Sequence, residues 1–310
     1  QFETNVPGIF IAGELGGMGL IRKAAEQGRQ AIGHIRQRPR GAFDLDVVIV
    51  GAGPAGLSAG LAAMEHGLAY RLIEQETSLG GAVFHYPRNK IAMTAPVKLA
   101  LVGSVKFGEV SKEQLLDFWA GVVRNTGLKI HFQECLVDIG RSADGFVVQT
   151  STGSHHARSV LLAMGRRGTP RKLDVPGEDS AKVVYRLVDA EQYRGQAVLV
   201  VGGGDSALEA AVALAAVADV DVTLSYRSDT FSRVKQKNRL LLEQAQQDGR
   251  VRVLLGSVVE AIEADQVRLR VADNVQSLRN DAVLVCAGGL LPTPLLQKVG
   301  IRFETKFGTA

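Results

Sequence analysis

An α/β fold of two three-layer domains follows from two stretches of this 310-residue chain. Residues 46–60 read as an apolar strand, then Gly51, Gly53 and Gly56, then a helix. Residues 197–209 repeat the plan with Gly202, Gly203 and Gly204, and Ala207 stands in the place of the third spaced glycine. In such a unit the first glycine allows the tight turn and the second lets backbone approach a pyrophosphate. The third small residue lets helix pack on strand, so that the helix N-terminus faces phosphate. Two such units predict two Rossmann-like dinucleotide-binding domains.

The composition agrees. The chain is 46% hydrophobic and 22% charged, which supports packed cores and argues against a disordered polyelectrolyte. Net charge is only +4, and the densest basic run, residues 36–40, reads as a solvated linker, so no nucleic-acid partner is expected. No apolar run reaches the roughly 18 residues of a membrane span, and no signal peptide is evident. Cys135 and Cys286 form neither a CxxC nor a metal-ligand spacing. Each sits in an apolar strand-like run, so both are expected as buried reduced thiols, in a cytoplasmic protein.

In chain order, residues 4–14 read as turn, strand and turn. Gly16, Gly17 and Gly19 then lead into a helix over 20–36 with small residues at Ala24, Ala25, Gly28 and Ala31. A helix opening on glycines offers free N–H groups. After the first glycine turn, a strand at 70–73 ends in Glu74, placed to hold a ribose hydroxyl. Ser111 and Gln114 fit a capping box, opening a helix whose Leu115, Leu116, Phe118 and Trp119 are core. Short strands are expected over 128–134, 146–150 and 160–164. His155 and His156 are adjacent, so on a strand they face opposite sides and share no metal.

In the second domain, the strand at 221–225 ends in Tyr226, Arg227 and Ser228, with no acid. An acid there would hold a bare ribose and repel a 2′-phosphate. Arg227 would pair with that phosphate, so NADP(H) is expected over NAD(H). The basic run at 235–239 is either a solvated helix face or a landing place for an acidic redox partner. Strands at 251–255 and 267–271 are packing.

Residues 4–14 match T-x-x-P-G-[IV]-F-x-A-G-[DE], followed by a glycine-led helix. This resembles the segment that closes the FAD domain of the thioredoxin-reductase-like flavoproteins. There the acid binds the ribityl side of the flavin, and the helix N-terminus faces the isoalloxazine. Here Glu14 replaces the usual aspartate. Residues 280–294 resemble the family's return to the FAD domain. The resemblance implies a discontinuous FAD domain over 1–165, completed by 280–310, and an NAD(P) domain over 166–279. Residues 1–36 would be the closing segment carried to the front, by circular permutation or by a cut through tandem repeats. Termini that lie close together make such an order tolerable.

Carried over residue by residue, the resemblance implies FAD contacts from Gly51, Gly53, Pro54, Ala55, Gly56, Glu74, Gln75, Gly81, Ala82, Lys90, Met93, Leu136 and Gly165. The closing segment would add Gly13, Glu14, Gly19, Leu20 and Ile21. Gly80 belongs to the loop over phosphate and ring, His85 lies in the part that passes the isoalloxazine, and backbone near 134–136 meets adenine. NADP contacts are implied for Gly202, Gly203, Gly204, Asp205, Ser206, Ala207, Tyr226, Arg227, Ser228, Arg233 and Gly288.

Thioredoxin reductases carry a CxxC just before the second glycine motif. Tyr185 and Val188 occupy those positions here, and the following Asp189 is kept. The resemblance therefore implies an FAD-dependent NAD(P)H oxidoreductase without a redox-active disulfide. The flavin would do the chemistry, with no side-chain acid or base. The implied acceptor is a ferredoxin- or flavodoxin-like protein or a fused iron–sulfur module, and a homodimer is compatible. Two alternatives stay open: a bacillithiol-type disulfide reductase, and a non-catalytic module in which bound FAD or NAD(P) reports redox state.

Overall fold

The structure is a computed structural model that describes residues 2–16, 20–39, 43–86, 88, 90–93, 96–106, 109–165, 170–232, 234–289 and 292–303. The chain divides into two compact units, Gln1–Gly168 with Leu291–Lys306, and Thr169–Leu290 with Phe307–Ala310.

The first unit opens with β1 (Ile9–Ile11) and α1 (Ile21–Ile35), then β2 (Leu45–Val50), α2 (Pro54–Glu65) and β3 (Tyr70–Ile73). Four short strands follow, β4 (Ile91–Met93), β5 (Val97–Leu99), β6 (Gly103–Val105) and β7 (Glu109–Ser111), pairing β4 with β7 and β5 with β6. The unit continues through α3 (Lys112–Thr126), β8 (Ile130–His131), β9 (Leu136–Arg141), β10 (Phe146–Thr150) and β11 (Gly153–Leu162). Its main sheet runs β8-β3-β2-β11-β10-β9, and β1 also pairs with β11. The β8, β3, β2, β11 and β1 pairings are parallel, whereas β9, β10 and the first half of β11 form an antiparallel meander.

Residues 47–50 are buried on both faces, as a parallel strand covered on both sides must be. Val47 and Ile49 join the core beneath α1 and α2, and Val48 and Val50 join the core of the β9–β10 meander, the alternation expected of a strand. The helix α2 is buried nearly all round, which accounts for its Gly, Ala, Ser and Leu composition. Against it α1 lays Ala24, Ala25, Gly28, Ala31, Ile32 and Ile35. The capping box opens α3 as expected: Gln114 N donates to Ser111 Oγ at 3.2 Å, and Ser111 N donates to Gln114 Oε1 at 2.9 Å. Leu115 and Trp119 are buried, with Leu116 and Phe118 packed at the rim of the same core.

The second unit holds β12 (Val183–Val184), β13 (Ala197–Val201), α4 (Asp205–Ala215), β14 (Asp221–Ser225), α5 (Gln236–Gln247) and β15 (Val251–Leu254). It ends with β16 (Ser257–Ile262), β17 (Gln266–Val271), β18 (Asn274–Arg279) and β19 (Ala282–Val285). A parallel sheet runs β12-β19-β13-β14-β15, and β16-β17-β18 form an antiparallel one. Val198, Val200, Ala282 and Leu284 pack with α4 and α5. Leu199, Val283 and Val285 pack with Val259, Val267 and Leu269 of the antiparallel sheet. Alternate residues of one strand thus serve two cores, giving three layers. The chain returns to the first unit with α6 (Thr293–Lys298), where Leu296 joins the meander core and Lys298 Nζ meets Asp138 Oδ2 at 2.6 Å.

Several expectations need correction. The return begins at Leu291, not at residue 280, because β19 completes the second sheet between β12 and β13. The strand expected over 128–134 is only Ile130–His131, since Glu134 leaves the ladder for a buried polar site. The strand expected over 160–164 starts at Gly153, because its first half pairs with β10 and its second half with β2 and β1. Cys135 is exposed on the turn after β8, and Cys286 is half-buried. Among the described residues, no helix is long and apolar enough to cross a membrane, and no group of three His, Cys, Asp or Glu could hold a metal.

Candidate dinucleotide sites

In the first unit the parallel strands β3, β2, β11 and β1 end side by side, which is where an open α/β sheet forms a crevice. Gly51 (φ +104°) turns the chain there, and a β-carbon on it would lie 2.7 Å from Ala163 O. One on Gly56 would lie 1.7 Å from Gly51 O, so only glycine lets α2 approach the turn this closely. Gly53 caps α2 and Pro54 starts it, leaving the first N–H groups of the helix unused within it. Across the turn lies a second glycine pair: Gly80 N donates to Ala52 O at 2.9 Å, and a β-carbon on Gly81 would lie 3.0 Å from Gly53 Cα. This side-chain-free cradle fits a pyrophosphate.

Glu74 is buried. Its Oε2 accepts from Ala52 N at 2.7 Å and its Oε1 from Glu76 N at 3.0 Å. The acid therefore braces the glycine turn, and its remaining lone pairs are what a ribose hydroxyl would use. Residues of the N-terminal segment lie in the same place. Gly13 N donates to Gln27 Oε1 at 2.8 Å, and a β-carbon on Gly13 would lie 3.3 Å from Ala55 Cβ. Glu14 Oε2 comes within 4.0 Å of where a β-carbon of Gly165 would stand.

Gly51, Gly53, Pro54, Ala55, Gly56, Glu74, Gly81, Gly13, Glu14 and Gly165 thus come together. Ala82 follows in the short helical turn Gly81–Val83, and exposed Gln75 lies beside Cys135, whose Sγ is 3.9 Å from Gln75 Oε1. Leu136 is half-buried and pairs with Thr150 in the meander. Lys90 lies over the Tyr86 ring, 4.9 Å from its centroid, and His85 Nε2 is 3.9 Å from Glu76 Oε1. Leu20 is exposed and Ile21 begins α1. Gly19 and the side chain of Met93 lie outside the described residues.

In the second unit, β13, β14 and β19 end together. A β-carbon on Gly202 (φ +148°) would lie 2.4 Å from Cys286 O and 3.2 Å from Ala207 Cβ. Gly203 lies under the Tyr226 ring, 2.2 Å from where its β-carbon would be, and that ring stacks on Phe231 at 5.4 Å. Gly204 caps α4, and Asp205 and Ser206 form its first turn. Asp205 is not free for a phosphate loop: its Oδ1 accepts from Lys235 N at 2.9 Å and Asn238 Nδ2 at 2.7 Å, so it caps α5 from outside. That bond ties the 226–235 segment to the glycine turn. Arg227 and Ser228 are exposed on that segment, Gly288 (φ +84°) accepts from Arg171 N at 3.0 Å, and Arg233 lies outside the described residues. Tyr185 OH donates to Glu178 Oε1 at 2.9 Å and Val188 is exposed. Burial and the Glu178 carboxylate push the Tyr185 hydroxyl up to about 12.

Sequence reasoning missed Gln27, Asn238 and the buried network around Glu134. Each acts across the fold on a partner distant in sequence. A Gln or Asn in a helix carries no local signal of such a role.

Together the layers and cradles define a thioredoxin-reductase-like, two-domain α/β protein. The thioredoxin reductase of Lactococcus lactis shares that fold, with a TM-score of 0.63 at 23% identity over 83% of this chain and 81% of that one. The chain belongs to the pyridine nucleotide-disulphide oxidoreductase family, which matches residues 48–307. It is 32% identical over 230 residues to a ferredoxin–NADP reductase of Pediococcus pentosaceus, covering 73% of this chain and 66% of that protein. The bacillithiol disulfide reductase Bdr (YpdA) of Staphylococcus aureus superposes with a TM-score of 0.70 at 26% identity, over 84% of this chain and 81% of that one. The chain thus spans about two thirds of the length of the Pediococcus reductase.

Proposed function

We propose that this chain forms the FAD- and NAD(P)H-binding part of an oxidoreductase that delivers electrons to a ferredoxin- or flavodoxin-like carrier or a fused iron–sulfur module. The observation that carries the reading is the pair of glycine cradles, each at the carboxyl ends of parallel strands and each built on a turn glycine, Gly51 or Gly202, with no room for a β-carbon. In the first unit Gly53 and the first turn of α2 would bind the FAD pyrophosphate, Glu74 a ribose hydroxyl and Glu14 the ribityl side. In the second unit Gly203 and Gly204 would bind the nucleotide pyrophosphate and Arg227 a 2′-phosphate, favouring NADP(H). Bound FAD would supply the redox chemistry, taking up two electrons and releasing them singly or together. Residues 1–36 would close the same domain, a reading supported by the parallel pairing of β1 with β11.

Disulfide relay by this chain is not part of the proposal, because Tyr185 and Val188 stand where the family's cysteines would be. The likeness to a bacillithiol disulfide reductase favours a second reading, in which the acceptor is a small disulfide bound from outside. The test is stopped-flow bleaching of the flavin band on mixing with NADPH. Bleaching within seconds, followed by cytochrome c reduction only when ferredoxin is added, supports the first reading. NADPH oxidation driven by bacillithiol disulfide instead supports the second. No bleaching sinks both and leaves a non-catalytic redox-sensing module.

A further inference from the structure

Two carboxylates are buried in the first unit among the described residues, Glu74 and Glu134. Glu74 braces the glycine turn. Glu134, 2% exposed, lies on the segment between β8 and β9. Its Oε2 accepts from Arg71 Nη2 at 2.7 Å and Arg71 Nε at 3.1 Å. Its Oε1 accepts from Thr150 Oγ1 at 2.8 Å and lies 2.7 Å from His155 Nε2. Donors from β3, β10 and β11 therefore converge on one group. A carboxylate taken out of water would disfavour its charge without such partners, so the network is far more specific than packing requires.

The backbone around Glu134 faces the acid end of β3. Glu134 N donates to Glu74 O at 2.9 Å, and Gln133 N donates to Glu76 O at 3.1 Å. Gln133 is held at φ +57°, a conformation that persists in a non-glycine residue only where its surroundings impose it. Cys135 N is in turn fixed by Ser151 Oγ at 3.0 Å. The turn is thus laid alongside Glu74, Gln75 and Glu76, at the ribose end of the cradle.

We propose that Glu134 is a positioning residue for the adenosine half of FAD: clamped by Arg71, Thr150 and His155, it holds the 133–136 turn against Glu74 before the cofactor arrives. The inference rests on the assignment of FAD to the first unit. It acts through Glu74 and the turn backbone, and Glu134 itself touches no reacting atom. A glutamine in its place keeps the shape but turns one N–H group toward donors, breaking part of the clamp and leaving the Arg71 guanidinium under-paired.

The test titrates flavin-free protein with FAD and, separately, with FMN, which lacks the adenosine, following flavin fluorescence; melting temperatures are recorded alongside. Glu134→Gln is expected to weaken FAD roughly tenfold to a hundredfold, the scale of one charge-assisted hydrogen bond, and to leave FMN unchanged. Thr150→Val removes one of the three donors to Glu134, along with that hydroxyl's bonds to Gly153 O and from Thr152 N, and should shift FAD in the same direction by less, so it carries the test if Glu134→Gln does not fold. Unchanged FAD affinity in a folded variant overturns the inference, and so does an equal loss for FAD and FMN, which would make Glu134 a support of the fold alone. Failure of the wild-type protein to take up FAD would instead remove the site assignment itself.

Discussion

Gly28 of α1 lies against the carbonyl of Ala55 in the first turn of α2, so closely that a β-carbon on Gly28 would stand 2.0 Å from that oxygen. The N-terminal segment and the fingerprint helix are therefore one packed contact, although a linker separates them in the chain. Gly28→Ala must push α1 away from backbone that cannot yield, and should destabilise the first unit by roughly 1–3 kcal/mol, the usual range for overpacking. Gly33, on the same helix, has nothing within 4 Å of its would-be β-carbon. Gly33→Ala should raise stability by roughly 0.5–1 kcal/mol through helix propensity alone. Thermal unfolding of the two variants should thus give shifts of opposite sign.

Removal of residues 1–36 takes away β1, its ladder to Val160–Leu162, and the helix covering α2. The purified remainder is expected to carry no FAD, although residues 51–56 stay intact. Flavin absorbance per protein decides the point, and stoichiometric FAD in the shortened chain would overturn the reading of the segment as part of this pocket.

Arg227 is exposed two residues past the end of β14, beyond the Tyr226 ring that covers Gly203. Arg227→Ala should weaken NADPH by about 1.5–3 kcal/mol, the scale of a lost charge-assisted hydrogen bond, with NADH much less affected. Equal losses for the two nucleotides, measured as apparent affinities, would argue that the arginine is structural.

Glu134 also sets an acid limit. Burial works to raise its carboxyl, but the hydrogen bonds from Arg71, His155 and Thr150 outweigh that and hold it at about 2, against 4.5 when free. A carboxyl lowered in the folded state contributes stability above its unfolded value and loses it as pH falls toward the folded one. Between pH 4.5 and about 2 this group should therefore give up about 3 kcal/mol. His131 adds a separate loss at higher pH: burial, then Arg71, lower its pKa, so stability erodes as pH drops below 6.5. Denaturant melts across pH should show both limbs in the wild type, and in Glu134→Gln an upper limb that persists with an acid limb that shrinks but is kept in part by Glu178, whose carboxyl is also lowered.

Both glycine cradles, the order of strand and helix around them, and the capping box of α3 were legible in the sequence. Each has a local part: Gly51 and Gly202 take positive φ in their turns, Gly56 meets Gly51 O five residues back, and Ser111 satisfies an N–H three residues on, whereas the contacts of Gly51 with Ala163 O and of Gly202 with Cys286 O come from the fold. Apolar runs likewise announced the buried strands, because a strand covered on both faces has nowhere to place a polar side chain. Only the tertiary structure decided that Glu134 is buried and Cys135 exposed, that Asp205 caps α5, and that β19 stays with the second unit. Those outcomes rest on partners distant in the chain, such as Arg71 for Glu134 and Asn238 for Asp205. A carboxylate reads the same in sequence whether water or a guanidinium will meet it, and the fold alone chooses which.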